Sequence, residues 1–241
     1  MPESNLRCFC SASHIQPNIS SSVPRRRFLR TTIASAIGGL SVLSGRKAFS
    51  QSTLSPEAAL KELMEGNQRY VTGTMTAHEH DLELLHAKTA EKQQPFAAVL
   101  SCADSRVPVE LVFDQTIGHV FVCRIAGNVT TPEIIASLEY GAAVLGTTAI
   151  LVLGHSNCGA VAATIKNDAV PGQISALYPH IRPAVDEAGP NLEAATRANA
   201  KIHAALLREA SPVIAALLKE NKITVVAGYY DVTKGSVTLV E

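Results

Sequence analysis

Ala149-Ile150-Leu151-Val152-Leu153-Gly154 is an apolar run with no charge and no alternation of polar with apolar residues. A strand with one wet face alternates, so an uninterrupted, β-branched run fits a strand buried on both faces of a parallel sheet. Phe96-Ala97-Ala98-Val99-Leu100-Ser101, His119-Val120-Phe121-Val122-Cys123-Arg124-Ile125 and Ile223-Thr224-Val225-Val226-Ala227-Gly228-Tyr229 read the same way. Helical stretches lie between these runs, at about 131–145, 157–167 and 191–220. The alternation predicts an α/β fold, an open and mostly parallel sheet of about four strands with right-handed crossovers, flanked by helices. Lys234-Gly235 then separates the last run from Ser236-Val237-Thr238-Leu239-Val240, which predicts a hairpin and a C-terminal antiparallel edge strand. Ahead of the first run, 54–71 reads as a helix with Ser55 as N-cap, Pro56 at the first position and apolar residues at 60, 63, 64 and 71. A polar helical stretch over about 78–91 carries His78, His80 and His86, which do not share a face, so a solvated helix is expected there rather than a metal site.

The chain has 241 residues, 46% of them hydrophobic, enough for one well-packed domain, which is expected over 51–241. Its formal charge of zero is unevenly spread: residues 1–50 hold 7 basic and 1 acidic residues, leaving 14 against 20 in the remainder. That remainder, at about −6, offers no basic stripe and speaks against a nucleic-acid partner. The basic excess sits in Pro24-Arg25-Arg26-Arg27-Phe28-Leu29-Arg30, followed by an uncharged stretch from Thr31 to Gly45 and by the small-residue exit Ala48-Phe49-Ser50. This layout predicts a signal peptide over 1–50 of the twin-arginine type, removed on export to a periplasm or lumen and leaving no stable membrane span. A retained anchor and a plain basic tail are the other readings. Cys8 and Cys10 lie in that leader, so the mature chain keeps Cys102, Cys123 and Cys158. An odd count without repeated spacing is not a disulfide framework. A folded-state export route would let a thiolate site take up metal before it meets an oxidising compartment.

Ligands of an open α/β sheet bind outside the carboxyl ends of its strands. Two motifs fall there: Ser101-Cys102-Ala103-Asp104-Ser105-Arg106 after the first run, and Gly154-His155-Ser156-Asn157-Cys158-Gly159 after the third. Two adjacent parallel strands would bring Cys102, His155 and Cys158 to one point. Two thiolates and an imidazole make a soft, near-neutral set for Zn²⁺ that leaves a fourth tetrahedral position open. Asp104 and Arg106, two residues apart in a loop, can form a forked ion pair. The carboxylate then either orients a hydroxide or takes the fourth metal position itself; an ordinary loop salt bridge is the third possibility. Cys123 reads as a core residue of the second strand. The stretch 191–220 could serve packing or association.

Cys102-x-Asp104-Ser105-Arg106 and His155-x-x-Cys158-Gly159, with Arg124-Ile125-Ala126-Gly127-Asn128 between them, resemble the β-class carbonic anhydrase family over roughly residues 55–240. The resemblance implies Zn²⁺ on Cys102, His155 and Cys158, and a catalytic pair of Asp104 and Arg106. It implies substrate-binding positions at Gln93, Phe121, Tyr140 and Gly159, with Phe121 and Tyr140 supplied by a partner subunit as in plant-type members. The activity implied is reversible hydration of CO₂ to bicarbonate and a proton, in a homodimer or an assembly of dimers. Hydrolysis of carbonyl sulfide or carbon disulfide on the same site, and a zinc-binding relative without turnover, are the alternatives. Members inhibited allosterically by bicarbonate carry Trp three residues before the first zinc cysteine. Val99 stands there and the chain has no Trp, so the non-allosteric subtype is expected. Ala126 is smaller than the residue usual at its pocket position.

Overall fold

The computed structural model describes residues 52–86 and 92–241. The expected leader, with Cys8 and Cys10, lies outside the described residues. Strands β1 (Ala97–Ser101), β2 (Val120–Arg124), β3 (Ala149–His155), β4 (Thr224–Tyr230) and β5 (Val237–Val240) form one sheet in the order β2-β1-β3-β4-β5. The first four are parallel, and β5 closes antiparallel on β4 with Tyr230 opposite Val237. The helices are α1 (Pro56–Thr72), α2 (Asp81–Leu84), α3 (Val109–Val112), α4 (Pro132–Tyr140), α5 (Gly159–Lys166), α6 (Tyr178–Ala188), α7 (Leu192–Ala210) and α8 (Pro212–Lys219). Among the described residues, no helix is long and apolar enough to cross a membrane.

Every residue of β1 and β3 is buried, as their unbroken apolar composition requires. The two-residue period sorts them: Ala97, Val99, Leu151 and Leu153 pack with α1 and Phe113 on one face. Ala98, Leu100, Ile150 and Val152 pack with α4, α7 and α8 on the other. Cys123 joins this second core, and burial pushes its thiol up to about 11, which leaves it an inert apolar side chain. From β1 the chain moves out to β2 and then returns across β1 to β3. The order therefore reverses between β1 and β3, and their carboxyl ends open a crevice.

Helix α1 starts as its sequence predicts, with the Ser55 hydroxyl accepting from Ala58 N–H at 3.2 Å. Buried Asn67 ties α1 to the far end of the chain. Its Nδ2 donates to Val112 O (3.0 Å) and Gly235 O (2.8 Å), and its Oδ1 accepts from Val237 N–H (2.8 Å). Asn67→Ala strands three backbone groups, so a loss of roughly 3 kcal/mol is expected, read as a lower urea midpoint.

Two expectations are corrected, and one helix appears that the sequence reading does not predict. The stretch 78–91 is not a free, solvated helix: a 3₁₀ turn (Ala77–His80) leads into the short α2, and residues 87–91 lie outside the description. Asp81 staples this segment to the body, accepting from the Thr116 hydroxyl and Ile117 N–H while its second oxygen meets His78 Nδ1 at 2.7 Å. The stretch 191–220 is two helices, because Ser211 is extended and Pro212 has no N–H to continue α7. Ser211 caps α8 through Ile214 N–H at 3.0 Å and donates to Glu139 at 2.6 Å. Finally, α6 was not anticipated. Pro171, Gly172, Pro179 and Pro183 give its region the composition of a loop, but Pro179 falls in the first turn, where a missing N–H is harmless. Its apolar stripe of Ile181, Ala184 and Val185 is buried, and that gain outweighs the break at Pro183.

The buried face of α7 also carries three polar residues, Thr196, Asn199 and His203. His203 Nδ1 accepts from Thr130 N–H at 3.1 Å, so its proton sits on Nε2 and the Thr130 hydroxyl donates to Nδ1 as well, at 2.8 Å. Burial, aided by the charge of His180, pushes this imidazole down to about 4. The unfolded chain binds this proton at a higher pH than the native one does. The resulting stability is complete above about pH 6.5 and is lost as the pH falls through about 4. Acid unfolding is expected to show a loss of roughly 3 kcal/mol across that window, and His203→Gln should remove it.

Candidate metal centre

Cys102 follows β1 directly, His155 ends β3, and Cys158 is the residue from which α5 starts. These are the two carboxyl ends flanking the crevice. The two sulfurs and one ring nitrogen lie within 4.8 Å of one another, and all three residues are buried. Among the described residues this is the one cluster of its kind.

Each donor is held by the backbone around it. His155 Nδ1 faces Ser156 O at 2.9 Å, a carbonyl that only accepts, so Nδ1 carries the hydrogen and Nε2 presents its lone pair. That Nε2 is buried without a partner, which is costly for an imidazole nitrogen unless a cation meets it. Cys102 Sγ accepts from Gly127 N–H at 3.3 Å. The Cys158 thiol, His155 and this N–H pull the Cys102 thiol down to about 4. The charge so created, together with burial, pushes Cys158 far up. Two thiols thus share one proton, an arrangement that a divalent cation completes by displacing it. The residues fit a Zn²⁺ ion, with Cys102, His155 and Cys158 as its holders.

Asp104 stands at the mouth, its Oδ2 3.9 Å from His155 Nε2. Arg106 meets it as a fork, Nε to Oδ1 at 2.9 Å and Nη2 to Oδ2 at 2.8 Å, and its own N–H adds a third bond at 3.0 Å. This guanidinium holds the Asp104 carboxyl far below the usual carboxylate range. Arg106 is itself anchored by Asn157 O at 3.2 Å. Beyond the cluster, α5 begins at Gly159, where an added Cβ would meet nothing within 4 Å. The amino end of α5 therefore faces open space.

The other expected positions are not gathered here within one chain. Gln93 is exposed and precedes the amino end of β1, which its five residues separate from Cys102 by about 16 Å. Phe121 is level with Ala98, low on β2, and packs against Tyr140 with ring centroids 6.3 Å apart. Tyr140 is 45% exposed, and both residues lie at the β2 edge of the sheet.

Arg124 had been counted in a motif without a role. It ends β2 and spans the loop after β1, donating from Nε to Cys102 O at 3.0 Å and from Nη2 to Asp104 O. A charge at the carboxyl end of an apolar run was the available signal; that run is the half-buried edge strand β2 rather than one buried on both faces. Asn199 was missed too, although the positions 195, 199, 203 and 207 define the buried stripe of α7 and make a polar residue there conspicuous.

A family model described as carbonic anhydrase matches residues 97–237. Carbonic anhydrase 2 of Mycobacterium tuberculosis (strain H37Rv) is 39% identical over 140 residues, covering 57% of this chain. The match spans 64% of that relative's length. Among solved structures, the β-carbonic anhydrase CcaA superposes with a TM-score of 0.59 at 25% identity, over 75% of this chain and 86% of that one. A tetrameric β-carbonic anhydrase from Sordaria macrospora shares the fold, with a TM-score of 0.60 at 21% identity over 75% and 96%.

Proposed function

The chain belongs to the β-carbonic anhydrase family, and on that premise we propose that it catalyses the zinc-dependent, reversible hydration of CO₂ to bicarbonate and a proton. The observation that carries this reading is the buried Cys102–His155–Cys158 cluster with its unpartnered Nε2 and an arginine-locked carboxylate 3.9 Å away. Bound Zn²⁺ supplies a Lewis acid that makes a nucleophile of water near neutral pH.

The chain's own groups do the rest. Arg106 bonds Asp104 twice at Oδ1 and once at Oδ2, so the carboxylate is fixed in place and Oδ2 keeps a lone pair with which it serves as the acceptor that orients the attacking oxygen rather than as a fourth ligand. Because Arg106 keeps it ionised, it accepts and never donates across the working pH range. Arg124 braces the carbonyls of Cys102 and Asp104 and so fixes the distance between ligand and orienting group. At the start of α5 the N–H groups of Ala160 and Val161 face the Cys158 sulfur, and the N–H of the uncrowded Gly159 suits the anionic product.

Gln93, Phe121 and Tyr140 complete the substrate pocket from a second copy of the chain. Their distance from the cluster in one chain, and the exposure of Tyr140 at the sheet edge, support a homodimer or an assembly of dimers. Val99, fully buried in β1, and the absence of tryptophan support the subtype without bicarbonate gating. Arg25-Arg26-Arg27-Phe28-Leu29 supports export by a twin-arginine route.

The test is zinc content and stopped-flow CO₂ hydration on the purified chain. One Zn²⁺ per chain and a rate far above buffer, rising with pH near neutrality, are expected. Stoichiometric zinc without acceleration would leave a zinc-binding relative in its place.

A further inference from the structure

We propose that Asn199 is a positioning residue for the metal centre, holding the Gly127 peptide so that its N–H aims at the Cys102 sulfur; this rests on the reading of the cluster as a zinc centre. Asn199 is fully buried on α7, and its Nδ2 donates to Gly127 O at 2.8 Å. A carbonyl accepts only, so the partner itself sets which way round the amide lies. The other end of the same peptide, Asn128 N–H, donates to Ile125 O at 2.9 Å. The 127–128 peptide is thus gripped at its oxygen and at its nitrogen.

One Cα back, Gly127 N–H donates to Cys102 Sγ at 3.3 Å. Only the two dihedrals of Gly127 separate the gripped peptide from the one that reaches the sulfur. They stand at φ 78° and ψ 12°, in the left-handed region that glycine adopts without strain. A Cβ there would lie 2.7 Å from Ile181 Cδ1 of α6. One helical turn beyond Asn199, His203 holds the next part of the segment through Thr130 N–H. A single helix packed on the sheet therefore clamps 127 to 130 at two points and sets the N–H···S contact. That contact draws charge from the sulfur, weakens its donation to the metal and sharpens the metal's acidity. Asn199 touches neither metal nor substrate; it acts through Gly127.

The test uses the Co²⁺-loaded protein, in which the thiolate-to-cobalt charge-transfer band reports the charge on sulfur. Asn199→Leu keeps the volume and removes the donor, Asn199→Ser leaves a side chain too short to reach, and Leu207→Ala loosens the same helix away from the 127–130 segment. Both Asn199 variants are expected to move the band to lower energy and to shift the pH midpoint of CO₂ hydration upward. Leu207→Ala is expected to lower Tm and leave the band in place. If the leucine variant does not fold, the serine variant decides alone. A wild-type band in a folded Asn199 variant, or the same shift in Leu207→Ala, overturns the proposal while the zinc reading stands. A wild-type protein with no such band overturns the zinc reading, and this proposal with it.

Discussion

Cys158→Ala is expected to release the metal, with Zn²⁺ falling from about one per chain to near zero and CO₂ hydration falling by ~10³-fold or more. Cys158 is fully buried and begins α5, so its sulfur cannot be replaced by water without reopening the crevice. In the metal-free chain it keeps its proton, because burial and the neighbouring Cys102 charge both oppose a second thiolate. Only a dication makes that second thiolate favourable. Its loss leaves Cys102 and His155, one anion and one neutral donor, too few for a tetrahedral Zn²⁺ site with one open position. Metal analysis after dialysis, alongside stopped-flow rates, checks this. Activity surviving the substitution would show that the centre lies elsewhere.

Asp104→Ala is expected to do the opposite to the metal. Zn²⁺ should remain at one per chain while turnover falls about 10²-fold. The carboxylate is held by three bonds from Arg106 and by none from the cluster, and its Oδ2 lies 3.9 Å from His155 Nε2. Loss of the metal with Asp104 would instead make it a ligand. The sign of the pH effect follows from Arg106. A carboxyl held low in the native state contributes stability above its ordinary pKa, lost only as the pH falls through the depressed value. Asp104 therefore adds no limb to the activity profile near neutrality, and any acid loss above about pH 4 belongs to other groups such as His203.

Much of this protein follows from local rules. The unbroken apolar runs of β1 and β3 determine burial on both faces, hence a parallel sheet with helices on each side. Lys234-Gly235 determines the antiparallel end. Because parallel strands all present their carboxyl ends on one side, the residues just after two such runs must come near each other, which made Cys102, His155 and Cys158 legible together. Asp104 and Arg106 were legible because a fork over two residues needs only the loop that carries it.

What depends on packing between distant segments was not legible. Helix α6 exists because its apolar stripe finds the core that contains Cys102, Cys158 and Val129, a gain that no count of its prolines contains. Gln93, Phe121 and Tyr140 came only from the family resemblance, and the structure sets them away from the cluster within one chain, with Gln93 ahead of β1, Phe121 level with Ala98 and Tyr140 on α4. The sequence by itself determined the sheet, the three metal-holding residues and the Asp104–Arg106 fork, because each needs only strand direction and short spacing. Only the tertiary structure decided that Arg124 and Asn199 brace that centre, because each acts on backbone carbonyls, at Cys102, Asp104 and Gly127, that carry no mark in the amino-acid sequence.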